Sequence, residues 1–266
     1  MHAFDEAIAL DRLDTDVFQG HIPGAYGNMV GPFGGIIAAV VLNAVLQHPQ
    51  RIGNPVALTV NFAGPIADAV FQLKARPVRT NRSNQHWILE LWQADTLAVS
   101  ATALTARCQE PSIPESEWAM PAAPAAGQIP VLTSQLPLPW LEQYELRFIK
   151  GALDFSGQPS RTSETLLWVR DRIERPLDFP SLAAMADVFF PRAYIRQQRT
   201  FPAGTVSMTI YFHVGAQLLE RTVQPLLGQA RGQCFAQSYF DQAAGLWSSD
   251  GVLLTTSTQM VYQKMQ

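Results

Sequence analysis

The sequence is short of cysteine, of histidine and of charge, and each shortage removes a class of protein from consideration. Only Cys108 and Cys234 occur in 266 residues, in separate halves and without a C-x-x-C spacing. Neither a disulfide framework nor a zinc site is therefore expected, and a reducing compartment fits. The five histidines, at positions 2, 21, 48, 86 and 213, show no metal-ligand spacing. Charged residues make up 15%, with a net charge of -3 and no Lys/Arg block, which gives no sign of nucleic-acid or anionic-membrane binding. The longest apolar run, Phe33 to Leu46, falls short of the roughly 20 residues that a bilayer span needs. The N-terminal "MHAFDEAIALDRLD" is acidic and lacks the basic start and long apolar core of a signal peptide. A cytoplasmic protein is the expectation. No G-x-S-x-G elbow, P-loop or dinucleotide fingerprint occurs, which speaks against serine-hydrolase and nucleotide chemistry.

Hydrophobic residues, at 47%, are ample for a packed core, and the length suits one large domain or two smaller ones. Residues 109–139 carry seven prolines and no sustained periodicity, which reads as a linker between an N-terminal module (1–108) and a C-terminal module (140–266). The element order repeats on either side. First comes a helix bracketed by glycine and proline, "GPFGGIIAAVVLNAVLQHP" (31–49), followed by four strands, at 56–64, 69–80, 86–95 and 97–107. After the linker a strand is expected at 161–173, a helix over "DFPSLAAMADVFF" (178–190), and strands at 205–214, around 228–240 and at 251–264. Leu58–Phe62 overlays Met208–Phe212, and Asp95–Leu104 overlays Asp250–Gln259. A long helix followed by four strands is too little for a sandwich and has the wrong order for a doubly wound sheet. The expected fold is α+β: each sheet wraps its own helix, and the two sheets join edge to edge.

A duplicated scaffold supplies its own control, because residues needed only for folding should look alike in both copies. Three positions do not. Asp187 stands in the second helix where the first offers Leu42 or Asn43, Gln259 stands where the first copy has Leu104, and Thr205 opens a strand whose counterpart opens at Pro55. Singly, these are also read as a helix-end acid, a solvent-facing amide and a β-branched strand opener.

The chain resembles the TesB-type acyl-CoA thioesterases and the wider double hotdog group over nearly its whole length. "FGG" (33–35) is similar to that family's helix entry, "NFAGPI" to its strand end, "ADVFFP" to its Asp-bearing helix, "SMTIYFH" to its aromatic-aromatic-His strand, and "DGVLLTTSTQ" to its final strand. The resemblance implies a double hotdog that hydrolyses acyl-CoA or related acyl thioesters, needs no cofactor, and holds its hydrolytic water with an Asp, a Thr and a Gln. By position these fall on Asp187, Thr205 and Gln259. The chain departs from the family pattern at Met260–Val261 after the Gln, at Val214–Gly215 after the His, and at Ile36 after the glycines.

The chemistry is consistent with these residues. An ionised Asp187 in an apolar wall should have a raised pKa and can take a proton from water, although direct attack by its carboxylate to give an anhydride is an equal reading of the sequence. Backbone N–H groups of Gly34 and Gly35 at a helix start are the expected oxyanion donors, with tight helix packing as the alternative for both glycines. His213 is more simply a strand-end structural residue. Arg147, Arg192, Arg196 and Arg199 are available for CoA phosphates. The rival functions are a non-catalytic acyl-thioester binder and a hotdog hydratase or dehydratase, which would want a His paired with an acid. A double hotdog is one complete pseudo-dimer, and further pairing into a homo-oligomer through sheet edges or faces is open.

Overall fold

A computed structural model describes residues 2–107, 114–133 and 136–264. Its first half runs α1 (Ala3–Ala7), β1 (Leu10–Arg12), β2 (Val17–Gly20), α2 (Gly34–Gln47), β3 (Asn54–Phe62), β4 (Phe71–Thr80), β5 (Asn84–Gln93) and β6 (Thr96–Ala106). The second runs β7 (Tyr144–Lys150), β8 (Thr165–Asp171), α3 (Phe179–Met185), α4 (Arg192–Gln197), β9 (Ala203–Phe212), α5 (Ala216–Arg221), β10 (Leu226–Arg231), β11 (Phe235–Ala236), β12 (Tyr239–Trp247) and β13 (Leu253–Gln263). The strands form one antiparallel sheet in the order β1-β2-β4-β5-β6-β3-β9-β13-β12-β10-β8-β7. Read outward from the β3·β9 seam, the two halves match strand for strand. This is the α+β double hotdog.

The seam explains the repeat in the sequence. Leu58 pairs with Ile210, Thr59 with Thr209 and Val60 with Met208, so the overlaid pentapeptides lie antiparallel across an approximate dyad. The hydroxyls of Thr59 and Thr209 meet on it at 3.0 Å. Both strands also carry a bulge at the same place, between Pro55 and Ala57 and between Thr205 and Ser207. The counterpart of Thr205 is therefore Pro55, as expected.

Four expectations need correction. Each half has six strands in the main sheet: β1, β2 and β7 are short or charged enough to have hidden from an alternation test. The strand expected around 228–240 divides into β10 and β12, with β11 hydrogen-bonded to β12 between them. The second helix is short: α3 ends at Met185, and Asp187 lies beyond its C-cap Ala186, because the Ala186 carbonyl accepts from Ser257 Oγ and Pro191 has no N–H to give to Asp187 O. Finally, Gln259 pairs with Met208 while Ala103, not Leu104, pairs with Leu58. The second hairpin turns through residues 248–252 and the first through only 94–95, so the extra residue falls before the strand. A one-residue slip of this kind exchanges the two faces of a sheet.

Burial of α2 on every side follows from its composition: ten of its fourteen residues are buried, from Gly35 to Val45. Its one inward polar group, the Asn43 amide, donates to Ile8 O at 2.7 Å. Helix α3 is likewise buried throughout and starts with a capping box, Asp178 Oδ1 accepting from Ser181 N at 2.8 Å while Ser181 Oγ accepts from Asp178 N at 3.0 Å. The start of α2 packs on the end of α3 with no room for a side chain, since a Cβ on Gly35 would sit 2.5 Å from Ala184 O. Gly35→Ala is expected to destabilise the fold by about 1–3 kcal/mol through overpacking, measured by urea denaturation.

The described part of the proline-rich stretch lies against the second sheet. Met120, Ala123 and Ala126 cover Leu166, Trp168 and Leu227, and Trp168 Nε1 donates to Pro124 O at 2.9 Å. Residues 109–113 and 134–135 of that stretch, and Cys108, lie outside the described residues. Among the described residues, no helix is long and apolar enough to cross a membrane.

Candidate active site

Where α2 begins and α3 ends, the two halves enclose a cavity of about 450 Å³. Its walls are mostly apolar and include the aromatic rings of Phe33, Phe62, Trp140, Phe189, Phe190 and Tyr194, of which Phe33 and Trp140 stack at 4.4 Å. Gly34 and Phe62 come from the first half, and Asp187, Thr205 and Gln259 from the second. The cavity thus depends on the seam that joins the modules.

The three side chains singled out by the asymmetry of the repeat form one hydrogen-bonded chain. Thr205 Oγ1 donates to Gln259 Oε1 at 3.1 Å, and Gln259 Nε2 donates to Asp187 Oδ1 at 2.6 Å. The ionised carboxylate can only accept, which fixes the nitrogen end of the amide toward the acid, and the short N–H···O contact is that of a charge-assisted bond. Ser257 on the same strand donates to Ala186 O at 3.2 Å and ties down the backbone just before the acid. Burial raises the pKa of Asp187 from 3.8 to about 7, and hydrogen bonds from Gln259 and from the Gly35 N–H oppose that rise. The acid keeps some accessible surface, and it lines the cavity.

The two glycines act differently from each other. Gly35 spends its N–H on Asp187. Gly34 makes room for the acid, because a Cβ there would come within 2.8 Å of Asp187 Oδ2. As the first residue of α2 it has an N–H without an intrahelical partner.

Other sequence candidates lie elsewhere. His213 sits past the far end of β9, roughly 26 Å along the strand from Thr205 at about 3.3 Å per residue, and contacts Thr256 Oγ1 at 2.9 Å. His48 is paired with an acid, Asp16, at 2.9 Å, but at the C-terminal end of α2, against Trp87 and away from the cavity. Arg192 is fully buried and so is not placed to meet a phosphate from solvent.

One residue of the site escaped sequence reasoning, and another, Arg192, has a different place from the phosphate contact considered for it. Gln242, 2% exposed, lines the cavity from β12 directly opposite Gln259, and Arg192 stands behind it. The signal for Gln242 was a polar residue in step with Phe240, Ala244 and Leu246 on the buried side of β12.

Residues 22–106 match the model of an acyl-CoA thioesterase N-terminal domain, and residues 114–263 that of an acyl-CoA thioesterase C-terminal domain. No curated protein matches the sequence. Among solved structures, a conserved protein of unknown function with a hot dog fold from Alicyclobacillus acidocaldarius is 43% identical, with a TM-score of 0.94 over 100% of this chain and 99% of that one. A tesB protein from Mycobacterium avium subs. paratuberculosis is 17% identical, with a TM-score of 0.79 over 98% of each chain. An acyl-CoA thioesterase II from Mycobacterium marinum is also 17% identical, with a TM-score of 0.76 over 99% of this chain and 98% of that one. These last two likenesses speak to the fold alone. With both of its halves matched in order, the chain belongs to the acyl-CoA thioesterase family.

Proposed function

We propose that this protein hydrolyses acyl-CoA thioesters to the free acid and CoA thiol, with Asp187 as general base. The observation that carries this reading is the Thr205–Gln259–Asp187 chain ending in a carboxylate of raised pKa on a largely apolar cavity. Ionised Asp187 takes a proton from water as the water oxygen bonds to the thioester carbonyl carbon. The tetrahedral intermediate then collapses, breaking the C–S bond, and the departing thiolate recovers the proton from Asp187. Gln259 links Thr205 to the acid, and the two together serve to orient it. The Gly34 N–H, at the positive end of a fourteen-residue helix, is the donor suited to the developing oxyanion.

A hydratase is less well supported, since neither His–Asp pair among the described residues, His48–Asp16 or His21–Asp68, lines the cavity. The test is free-thiol release from short, long and branched acyl-CoAs. Binding without any thiol release would favour the non-catalytic acyl binder. Gly34→Ala is a companion test. Its methyl group must push Asp187 aside, so turnover is expected to fall by about 10- to 100-fold through misplacement of the base. The melting temperature should barely move, because alanine favours the helix.

A further inference from the structure

Gln242 takes no part in the Thr205–Gln259–Asp187 chain, although it stands beside Gln259 on the neighbouring strand. Its Oε1 accepts from Arg192 Nε at 2.8 Å. Arg192 is itself fixed: Nη1 donates to Ser163 O and to Thr165 Oγ1, each at 2.8 Å, and Nε and Nη2 donate to Phe190 O. A guanidinium has donors only. Even with its pKa lowered by burial to about 9, it stays protonated at neutral pH. The amide of Gln242 is therefore held one way round, with oxygen toward Arg192 and nitrogen away from it. That nitrogen is buried and meets no acceptor among the described residues.

Gln242 lines a largely apolar cavity, and its unpaired amide N–H is costly unless something entering the cavity accepts its hydrogen bond. A plain alkyl chain cannot do so. We propose that Gln242, oriented by Arg192, is a specificity-determining donor that selects acyl groups carrying an oxygen, as a hydroxyl or a ketone, within a few bonds of the thioester. The span follows from the sheet: directly opposed side chains on adjacent strands stand about 5 Å apart, so a group beside Gln242 is close to one beside Gln259. The inference rests on the thioester-hydrolase reading for its substrate class.

The test compares hexanoyl-CoA with its 3-hydroxy, 3-oxo and 5-oxo derivatives, using wild type and Gln242→Glu. Glutamate keeps an oxygen for Arg192, so the variant should fold, but it replaces the donor with an acceptor. The wild type is expected to prefer an oxygenated member over hexanoyl-CoA by about 10-fold or more in kcat/KM, because an unpaired buried donor penalises the analogue lacking the oxygen. Gln242→Glu should lose about 100-fold on whichever oxo substrate the wild type favours yet keep the hydroxy substrate, whose hydroxyl can donate to the carboxylate. An equal fall on all four substrates, or a wild type indifferent to the oxygen, would overturn the proposal. If no substrate turns over, the thioesterase reading fails, and the thermal shift produced by 3-oxohexanoate against hexanoate decides this one separately. A preference present in wild type and absent in Gln242→Glu sustains it, and equal shifts overturn it.

Discussion

Asp187→Asn is expected to lower kcat for acyl-CoA hydrolysis by about 10² to 10⁴, the contribution of a positioned general base, with KM nearly unchanged. The substitution is close to isosteric and leaves an oxygen to accept from Gln259 Nε2, so the cavity and the Thr205–Gln259 contact should survive. What disappears is a group able to take the proton from water. The wild-type pH profile supplies an internal check. With burial holding the acid up to about 7, kcat/KM should rise with pH and level off above about 7 as the carboxylate forms, and the variant should lose that limb. A single turnover in ¹⁸O-labelled water separates the two roles open to the acid. Base catalysis puts the label only in the released acid, whereas an anhydride opened by water at its aspartyl carbonyl puts the label into Asp187. A variant that hydrolyses acyl-CoA as fast as wild type would remove Asp187 from the mechanism.

The parts of this site that were legible in the sequence were those that broke a rule visible from the sequence alone. Asp187 stood out as an acid in an apolar run, and Thr205 and Gln259 as differences between copies. Their joining into one hydrogen-bonded chain depends on the bulge at Val206 and on the register of β13. The overlay missed that register by one residue, because turn length is weakly written in a sequence. It nevertheless singled out the glutamine that the fold joins to Thr205 and Asp187, since its mate in the first copy is apolar whichever of Leu104 and Ala103 is chosen. Gln242 was lost for a related reason. A strand expected around 228–240 ended short of it, and without the strand its inward step could not be read. Arg192 was misjudged because an arginine is ordinarily exposed. Only the fold brings Ser163, Thr165, Phe190 and Gln242 around it to satisfy its donors.

The same substitution at Asp187 should raise stability, and only on one side of neutrality. A carboxylate whose folded-state pKa is raised above its unfolded value binds its proton more tightly in the native state. Its contribution is therefore intact below about pH 4 and is lost as the pH climbs through about 7. Above that, the wild type holds an ionised acid that the fold disfavours. At about 1.4 kcal/mol for each tenfold step in proton affinity, the rise from 3.8 to about 7 sets a ceiling of about 4 kcal/mol. The acid keeps some contact with solvent at the cavity, which reduces the expected gain to about 1–3 kcal/mol. Urea denaturation of both proteins at pH 5 and pH 8 reads this out. The Asp187→Asn protein should be the more stable at pH 8, and the gap should narrow at pH 5, where the wild-type acid is protonated. A constant difference at both pH values would mean that burial of Asp187 carries no electrostatic cost, and would weaken the case that the cavity tunes this acid for proton transfer. Opposite signs in rate and stability, from one oxygen replaced by one nitrogen, are what a site strained for function produces. A merely structural acid would lose stability along with its partners.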